Sequence, residues 1–245
     1  MSVVNLIEIQ TPDGPAEGYL TGDGPGVLLF IDAFGVRPQI AEMADRIAAW
    51  GYTVLAPNVF HRDGSVEEIA PHTDLREPGE REKFFAVAGP RIARLTPDLA
   101  RRDIPAYLEA LHAQAEGERV GVVGYCMGAR LAVRAAALDP EVVAVAGFHG
   151  GGLAVEDDPE SPHRLLPGTH AEYVFGHADQ DRSMDAAAVA RLGEALHAAG
   201  LTATNEVYEG AAHGYSMADT SSYHERAAER SFEALHRLLE RTLST

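Results

Sequence analysis

Continuously apolar runs of strand length, separated by amphipathic helical segments, constrain the fold of this chain more than any other feature. The runs are "GVLLFI", "TVLA", "VGVV" and "VVAVAG". Strands that are apolar without alternation are typical of parallel sheets covered on both faces. Further β-rich segments are "VVNLIEI", "AEGYL", "AEYVF" and "TNEVYE". The pattern predicts an α/β fold with a mostly parallel central sheet of about eight strands and helices on both faces.

Helical periodicity and a cap signal place several of the intervening helices. Apolar residues spaced three and four apart predict helices over 38–50 and 185–199. The C-terminal helix is predicted to begin at a capping box, Ser222-x-x-Glu225. These helices have the lengths that crossovers between parallel strands require.

Length and composition limit the class of protein. A chain of 245 residues with 46% hydrophobic content is expected to form one domain over residues 1–245. Its formal net charge of −17 disfavours nucleic acid and anionic membranes as partners, so we expect a small-molecule substrate and a monomer or homodimer. The start "MSVVNLIEIQ" lacks a secretory pattern and no apolar run reaches bilayer length, so a cytoplasmic location is expected.

Two long connections stand out from the regular alternation. Residues 57–79 and 149–170 are rich in proline, glycine and charge and show little periodicity. Both follow the carboxyl ends of predicted parallel strands, where open α/β sheets bind their ligands. We therefore expect them to form the walls of a cleft.

The only cysteine of the chain lies in "VGVVGYCMGARLAVRAAAL". This strand, turn and helix contain G-x-C-x-G, the nucleophile-elbow pattern with sulfur in place of serine oxygen. Gly124 and Gly128 are predicted to allow the backbones to approach. Cys126 would lie at a helix N-terminus, which favours a thiolate, and the N–H of Met127 would face a developing oxyanion. The other interpretation of Cys126 is a small buried hydrophobe.

A thiolate nucleophile needs a base and an acid, which follow it along the chain in the order acid, then histidine. His213 comes directly after the last predicted strand and is preferred as the base. His149 and His177 also lie near strand ends and are the alternatives. Asp179 and Asp181 both qualify as the acid; Asp181 is preferred because it leads into the next helix.

The loop after "GVLLFID" contributes two further candidates. The backbone N–H of Ala33 is predicted to be the second oxyanion donor. Asp32 ends an apolar strand, where an unpaired carboxylate is costly. It either accepts hydrogen bonds from nearby loop amides or lies beside Cys126 and governs the thiol proton. A single cysteine forms no disulfide or thiolate cluster, and neither a metal nor a cofactor is expected.

With Cys126, Asp181 and His213, the sequence resembles the dienelactone hydrolase family, which are α/β-hydrolases with a Cys–Asp–His triad. The resemblance is carried by "DAFGVRPQIAEMADRIAAWGYTVLAPNVFHR", "GVVGYCMGARLAVRAAAL" and "YEGAAHGYSMAD". It implies a carboxymethylenebutenolidase-like hydrolase of ester or lactone bonds.

The sequence departs from the pattern of this family at two positions. Asp32 stands where the family enzymes that open dienelactone have a glutamate, and Met217 stands near the place of an arginine that holds the substrate carboxylate. A loose alignment places Arg81 at the other carboxylate-binding arginine of the family.

These residues predict hydrolysis of a small ester or lactone through an acyl-cysteine intermediate. Cys126 would attack, His213 would transfer the proton, and Asp181 would hold the imidazole. Because a thiolate leaves readily, enol-lactones and aryl esters are expected to react faster than alkyl esters. The rival hypotheses are a non-catalytic α/β-hydrolase scaffold that binds a small ligand and a redox-sensing thiol, although the chain has no resolving cysteine.

Overall fold

The computed structural model describes residues 5–243, which form one sheet and the helices around it. The strands are β1 (Leu6–Thr11), β2 (Gly14–Thr21), β3 (Pro25–Phe30), β4 (Thr53–Pro57), β5 (Glu116–Tyr125), β6 (Val142–Phe148), β7 (Glu172–Ala178) and β8 (Ala203–Tyr208). The helices are α1 (Pro38–Ala48), α2 (Val66–Ile69), α3 (Glu80–Arg94), α4 (Pro97–His112), α5 (Gly128–Leu138), α6 (Ala186–Ala198) and α7 (Glu225–Leu243), with a 3-10 helix at Pro162–Gly168.

The eight strands are ordered β1-β2-β4-β3-β5-β6-β7-β8. The β1–β2 and β2–β4 pairs are antiparallel, and all other neighbours are parallel. Each predicted strand is present, except that residues 3–4 of the first prediction lie outside the described residues. The α/β fold with a mostly parallel sheet is therefore confirmed.

Helices cover both faces of the central strands. A Cβ atom added to Gly121 of β5 would lie 2.5 Å from Leu239 of α7. A Cβ atom added to Gly124 of the same strand would lie 2.2 Å from the carbonyl oxygen of Gly128 in α5. Because residues an odd number apart on a strand point to opposite faces, α5 and α7 lie on opposite sides of the sheet.

The register of the central strands brings their carboxyl ends together. Phe30 of β3 is paired with Gly124 of β5, and Tyr125 is paired with Phe148 of β6. The segments that leave these strands therefore begin side by side at one edge of the sheet. No helix within residues 5–243 is long and apolar enough to span a bilayer.

One prediction about helices is wrong, and two helices were not predicted. The S-x-x-E pattern is not the cap of α7, because Ser222 lies outside the helix and its hydroxyl is 3.3 Å from that of Thr220. The N–H of Ala227 instead donates to Nδ1 of His224 at 3.2 Å. Helices α3 and α4 were not predicted from the sequence, because Pro90 and Pro105 interrupt their helical patterns.

Candidate active site

Cys126 occupies the turn between β5 and α5 in a strained backbone conformation. Its φ angle is +54°, in the left-handed region, which costs a residue other than glycine about 1–3 kcal/mol. The N–H of Cys126 donates to the carbonyl of Phe148 at 3.1 Å and ties the turn to the end of β6. Such strain is typical of functional sites.

The elbow glycines are required by close backbone approach, as the sequence predicts. A Cβ atom on Gly124 would lie 2.2 Å from the carbonyl oxygen of Gly128. A Cβ atom on Gly128 would lie 2.5 Å from the carbonyl oxygen of Ile31 in the loop after β3. The start of α5 is therefore pressed against the loop that contains Ala33.

The structure brings Cys126, His213 and Asp181 into one hydrogen-bonded chain. Sγ of Cys126 is 3.1 Å from Nε2 of His213. Nδ1 of His213 is 2.6 Å from Oδ2 of Asp181, and Oδ1 of Asp181 accepts from the N–H and hydroxyl of Ser183 at 2.8 and 2.7 Å. A nucleophile, a base and an orienting acid in this order are the arrangement that acyl transfer requires.

The alternative acid and bases are held elsewhere. Asp179 accepts a hydrogen bond from the N–H of Gly210 at 3.0 Å. Nε2 of His149 is 2.7 Å from the hydroxyl of Ser216, and Nε2 of His177 is 2.7 Å from the side-chain oxygen of Asn205. Within residues 5–243, neither of these histidines forms a hydrogen bond with Cys126.

Electrostatics favour a charged pair in the site. Burial opposes charge on His213, but its hydrogen bonds with Asp181 and Cys126 outweigh burial and raise its pKa to about 10. Burial would raise the pKa of Asp181, but the hydrogen bond and positive charge of His213 lower it to about 2. At neutral pH, His213 is therefore protonated, with its Nε2 3.1 Å from the sulfur of Cys126.

Two backbone N–H groups near Cys126 are the candidates for an oxyanion hole. Met127 follows the nucleophile directly, and Ala33 lies in the loop that packs against Gly128. Among the residues the structure describes, neither the Met127 nor the Ala33 N–H donates a hydrogen bond. Amides without an internal acceptor are suited to stabilise the negative oxygen of a tetrahedral intermediate.

Asp32 forms its side-chain hydrogen bonds within its own loop and with Arg37, and among the described residues none with Cys126. Oδ1 of Asp32 accepts from the N–H of Phe34 at 3.0 Å and from Nη1 of Arg37 at 2.7 Å, and Oδ2 accepts from Nη2 at 3.0 Å. Nε of Arg37 also donates to Asp219 at 2.6 Å. The buried carboxylate is thus neutralised by an arginine and a loop amide, which links the Ala33 loop to the segment after His213.

Replacing Arg37 by methionine is expected to lower the free energy of unfolding by about 3–5 kcal/mol, because it leaves Asp32 buried without its counter-charge. Urea denaturation measures this loss. The double variant Asp32→Asn/Arg37→Met should recover part of it, since the buried charge is then removed.

The control is Arg46→Met, which removes a half-exposed ion pair with Glu229 and should cost less than about 1 kcal/mol. Equal effects of Arg37→Met and Arg46→Met would contradict the buried network.

The segment after β6 and helix α3 both contact the loops that carry the triad. A Cβ atom on Gly151 would lie 2.7 Å from the hydroxyl of Ser183, so the segment after β6 packs directly on the acid loop. Nη2 of Arg81 in α3 donates to the carbonyl of His213 at 3.2 Å. Met217 is 1% exposed and belongs to the hydrophobic core.

Two residues of the site were missed from the sequence. Ser183 lies two positions after Asp181, a spacing typical of a turn in which a carboxylate accepts from its own chain, so a local signal existed. Arg37 donates a hydrogen bond to Asp219, 182 positions away, and no local sequence pattern predicts that contact.

Comparison with known proteins supplies an independent line of evidence. The model of the dienelactone hydrolase family matches residues 14–243. A provisionally named carboxymethylenebutenolidase of Methylorubrum extorquens is 26% identical over 227 residues, which cover 90% of this chain and 72% of the relative. One from Synechocystis is 26% identical over 240 residues, covering 93% and 90%. A carboxymethylenebutenolidase of Rhodococcus opacus is 30% identical over 145 residues, covering 57% and 51%.

Solved structures share the fold. A provisionally named dienelactone hydrolase of Klebsiella pneumoniae superposes with a TM-score of 0.78 at 22% identity, covering 95% of this chain and 96% of that one. The dienelactone hydrolase-like promiscuous phosphotriesterase P91 from metagenomic libraries gives a TM-score of 0.72 at 20% identity, covering 97% and 98%.

Proposed function

Since the chain belongs to the dienelactone hydrolase family and is a hydrolase of ester or lactone bonds, we propose that it acts on small activated esters or enol-lactones through an acyl-cysteine intermediate. The observation that carries this proposal is the continuous chain from Sγ of Cys126 through His213 to Asp181. Nucleophilic catalysis by sulfur requires this order of groups.

The first half of the reaction forms a thioester. The thiolate of Cys126 attacks the carbonyl carbon, and the amides of Met127 and Ala33 stabilise the oxyanion. When the tetrahedral intermediate collapses, the C–O bond to the leaving group breaks and Nε2 of His213 gives that oxygen its proton. Asp181 keeps the imidazole in position throughout.

The second half returns the enzyme to its starting state. His213 is now neutral and removes a proton from a water molecule as the water oxygen attacks the thioester carbonyl. The C–S bond breaks, the acid product leaves, and Cys126 and His213 are again a thiolate and an imidazolium. No redox step or external group is needed.

The leaving group is expected to control the rate. A thiolate departs more easily than an alkoxide, so the first tetrahedral intermediate reverts to substrate unless the other group leaves well. Wild-type kcat/KM should be at least about 100-fold higher for 4-nitrophenyl acetate than for ethyl acetate. Measurements over a series of phenyl acetates should show a steady fall as the leaving-group pKa rises.

The matching control is Cys126→Ala on the same series, which gives the background rate for each ester. Equal wild-type rates for the ethyl and 4-nitrophenyl esters, each well above that background, would contradict attack by a thiolate.

Partners and location are further parts of the proposal. A net charge of −17 supports a small-molecule substrate and neither nucleic acid nor membrane as partner. A cytoplasmic location is supported by the chemistry of the site, because a reducing compartment keeps a nucleophilic thiol free.

A further inference from the structure

A small cavity lies next to the nucleophile elbow, between the beginning of α4 and the first turns of α5. Its volume is about 50 Å³, and Thr96, Pro97, Met127, Arg130 and Arg134 contribute to its lining. A water molecule needs about 10–15 Å³ of such space. The cavity therefore has room for a small ion beside Met127.

Arg134 brings a buried donor without a hydrogen bond to this cavity. The residue is 6% exposed, and its Nη2 donates to the carbonyl of Glu160. Its buried Nη1 has no hydrogen-bond partner. The carboxylate of Glu160 is 3.8 Å from Nη1 and already accepts from Arg101 at 2.6 Å. A buried charged donor without an acceptor is unfavourable for folding.

Arg130 adds a second guanidinium one helical turn before Arg134. It lies in the first turn of α5, where the helix dipole disfavours a cation. Within residues 5–243 its side chain has neither a hydrogen bond nor an ion pair, and the negative charges that act on it are those of Cys126 and Asp158. A charged side chain placed where it lowers the stability of the folded protein is typical of a binding site.

The beginning of α4 supplies the third positive element. Thr96 caps this helix by accepting from the N–H of Leu99 at 3.3 Å, and α4 continues for 16 residues. The first turn of a helix of this length carries a partial positive charge that attracts anions. The helix terminus and both guanidinium groups therefore favour the same kind of ligand.

We propose that this cavity binds a small oxyanion, a phosphate or a carboxylate, held by Arg134 and Arg130. The fork of a guanidinium matches two oxygens of such an ion. Met127 borders both this cavity and the nucleophile, but neither Arg130 nor Arg134 takes part in the reaction, so the proposal does not depend on the hydrolase mechanism. A bound anion would accept a hydrogen bond from the buried Nη1 of Arg134.

The test is the melting temperature of the full chain, titrated with inorganic phosphate and separately with acetate at constant ionic strength. The wild type should show a saturable rise with at least one of the two anions, because a ligand that binds only the folded state stabilises it. Arg134→Met should weaken the apparent affinity at least about tenfold. A response to phosphate alone or to acetate alone supports the site and identifies the anion class.

Two further variants make the outcome decisive. Arg119→Met is the matched control, since Arg119 lies near the beginning of β5 and its exposed side chain donates to the carbonyl of Thr242 at 3.4 Å. This variant should keep the wild-type response. Arg130→Met should lose affinity like Arg134→Met and replaces it if that variant fails to fold. No saturable response to either anion in the wild type, or one that both Arg130→Met and Arg134→Met retain, would overturn the proposal.

Discussion

Replacing Cys126 by alanine is expected to lower kcat/KM for 4-nitrophenyl acetate by at least about 10⁴-fold, to the rate of background hydrolysis. Alanine removes the only atom that can hold the acyl group, and His213 then has no nucleophile to assist. Alanine keeps the Cβ atom, so the backbone at φ +54° meets the same steric demand in both proteins. Steady-state kinetics measure the loss, and matching melting curves show that the fold is kept.

The same variant separates the hydrolase from its rivals. A binding scaffold or a redox-sensing thiol would give similar ester hydrolysis in the wild type and in Cys126→Ala. Activity of the variant within tenfold of wild type would therefore contradict the assignment of Cys126 as the nucleophile.

Replacing His213 by glutamine is expected to lower kcat/KM by about 10³-fold, within the range that general acid–base catalysis contributes. The imidazolium is the cation 3.1 Å from Sγ, and its pKa is raised to about 10, so it carries a proton throughout the neutral range. Glutamine removes both this charge and the proton donor for the leaving group. Alkylation of Cys126 by iodoacetamide at pH 7 should slow as well, because the thiolate loses its counter-charge.

The control is His177→Gln, the same substitution at a histidine near the carboxyl end of β7 that contacts Asn205. Its kcat/KM should remain within about threefold of wild type, as expected for a residue outside the reaction path. If His177→Gln lost as much activity as His213→Gln, while the alkylation rate was unchanged in both, His213 would have no special role.

Much of the fold was predictable because the central strands are buried on both faces. Continuous runs such as "VGVV" leave no polar face, so the sequence itself identifies strands inside a sheet. The region of α3 and α4 was not predictable in this way, because Pro90 and Pro105 lie inside these helices and interrupt their helical patterns. At Ser222 the local pattern was correct for a cap, but the chain begins its helix at Glu225.

In the candidate site, too, some residues were predictable from the sequence and others were not. Cys126 and its glycines are encoded locally, since the turn itself requires them. Asp181 and His213 follow from chain order in a sheet of known topology. The environment of Asp32 was not predictable in this way, because its partner Arg37 is held in turn by Asp219, which is distant in the sequence.

The contacts of Asp32 alter how the thiol proton is held. Its carboxylate is occupied by Arg37 and Phe34, and within the described residues the hydrogen-bond partner of Sγ in Cys126 is His213. We therefore propose that the thiol exchanges its proton with His213. Arg37 instead fixes the loop that contains Ala33.

The covalent intermediate on Cys126 is detectable by intact-mass spectrometry of samples quenched during turnover of 4-nitrophenyl acetate. We expect a transient gain of about 42 Da, one acetyl group, located on Cys126 by peptide mapping and absent from Cys126→Ala. Full turnover by the wild type without an acetyl group on Cys126, in samples quenched from the first turnover onward, would contradict it.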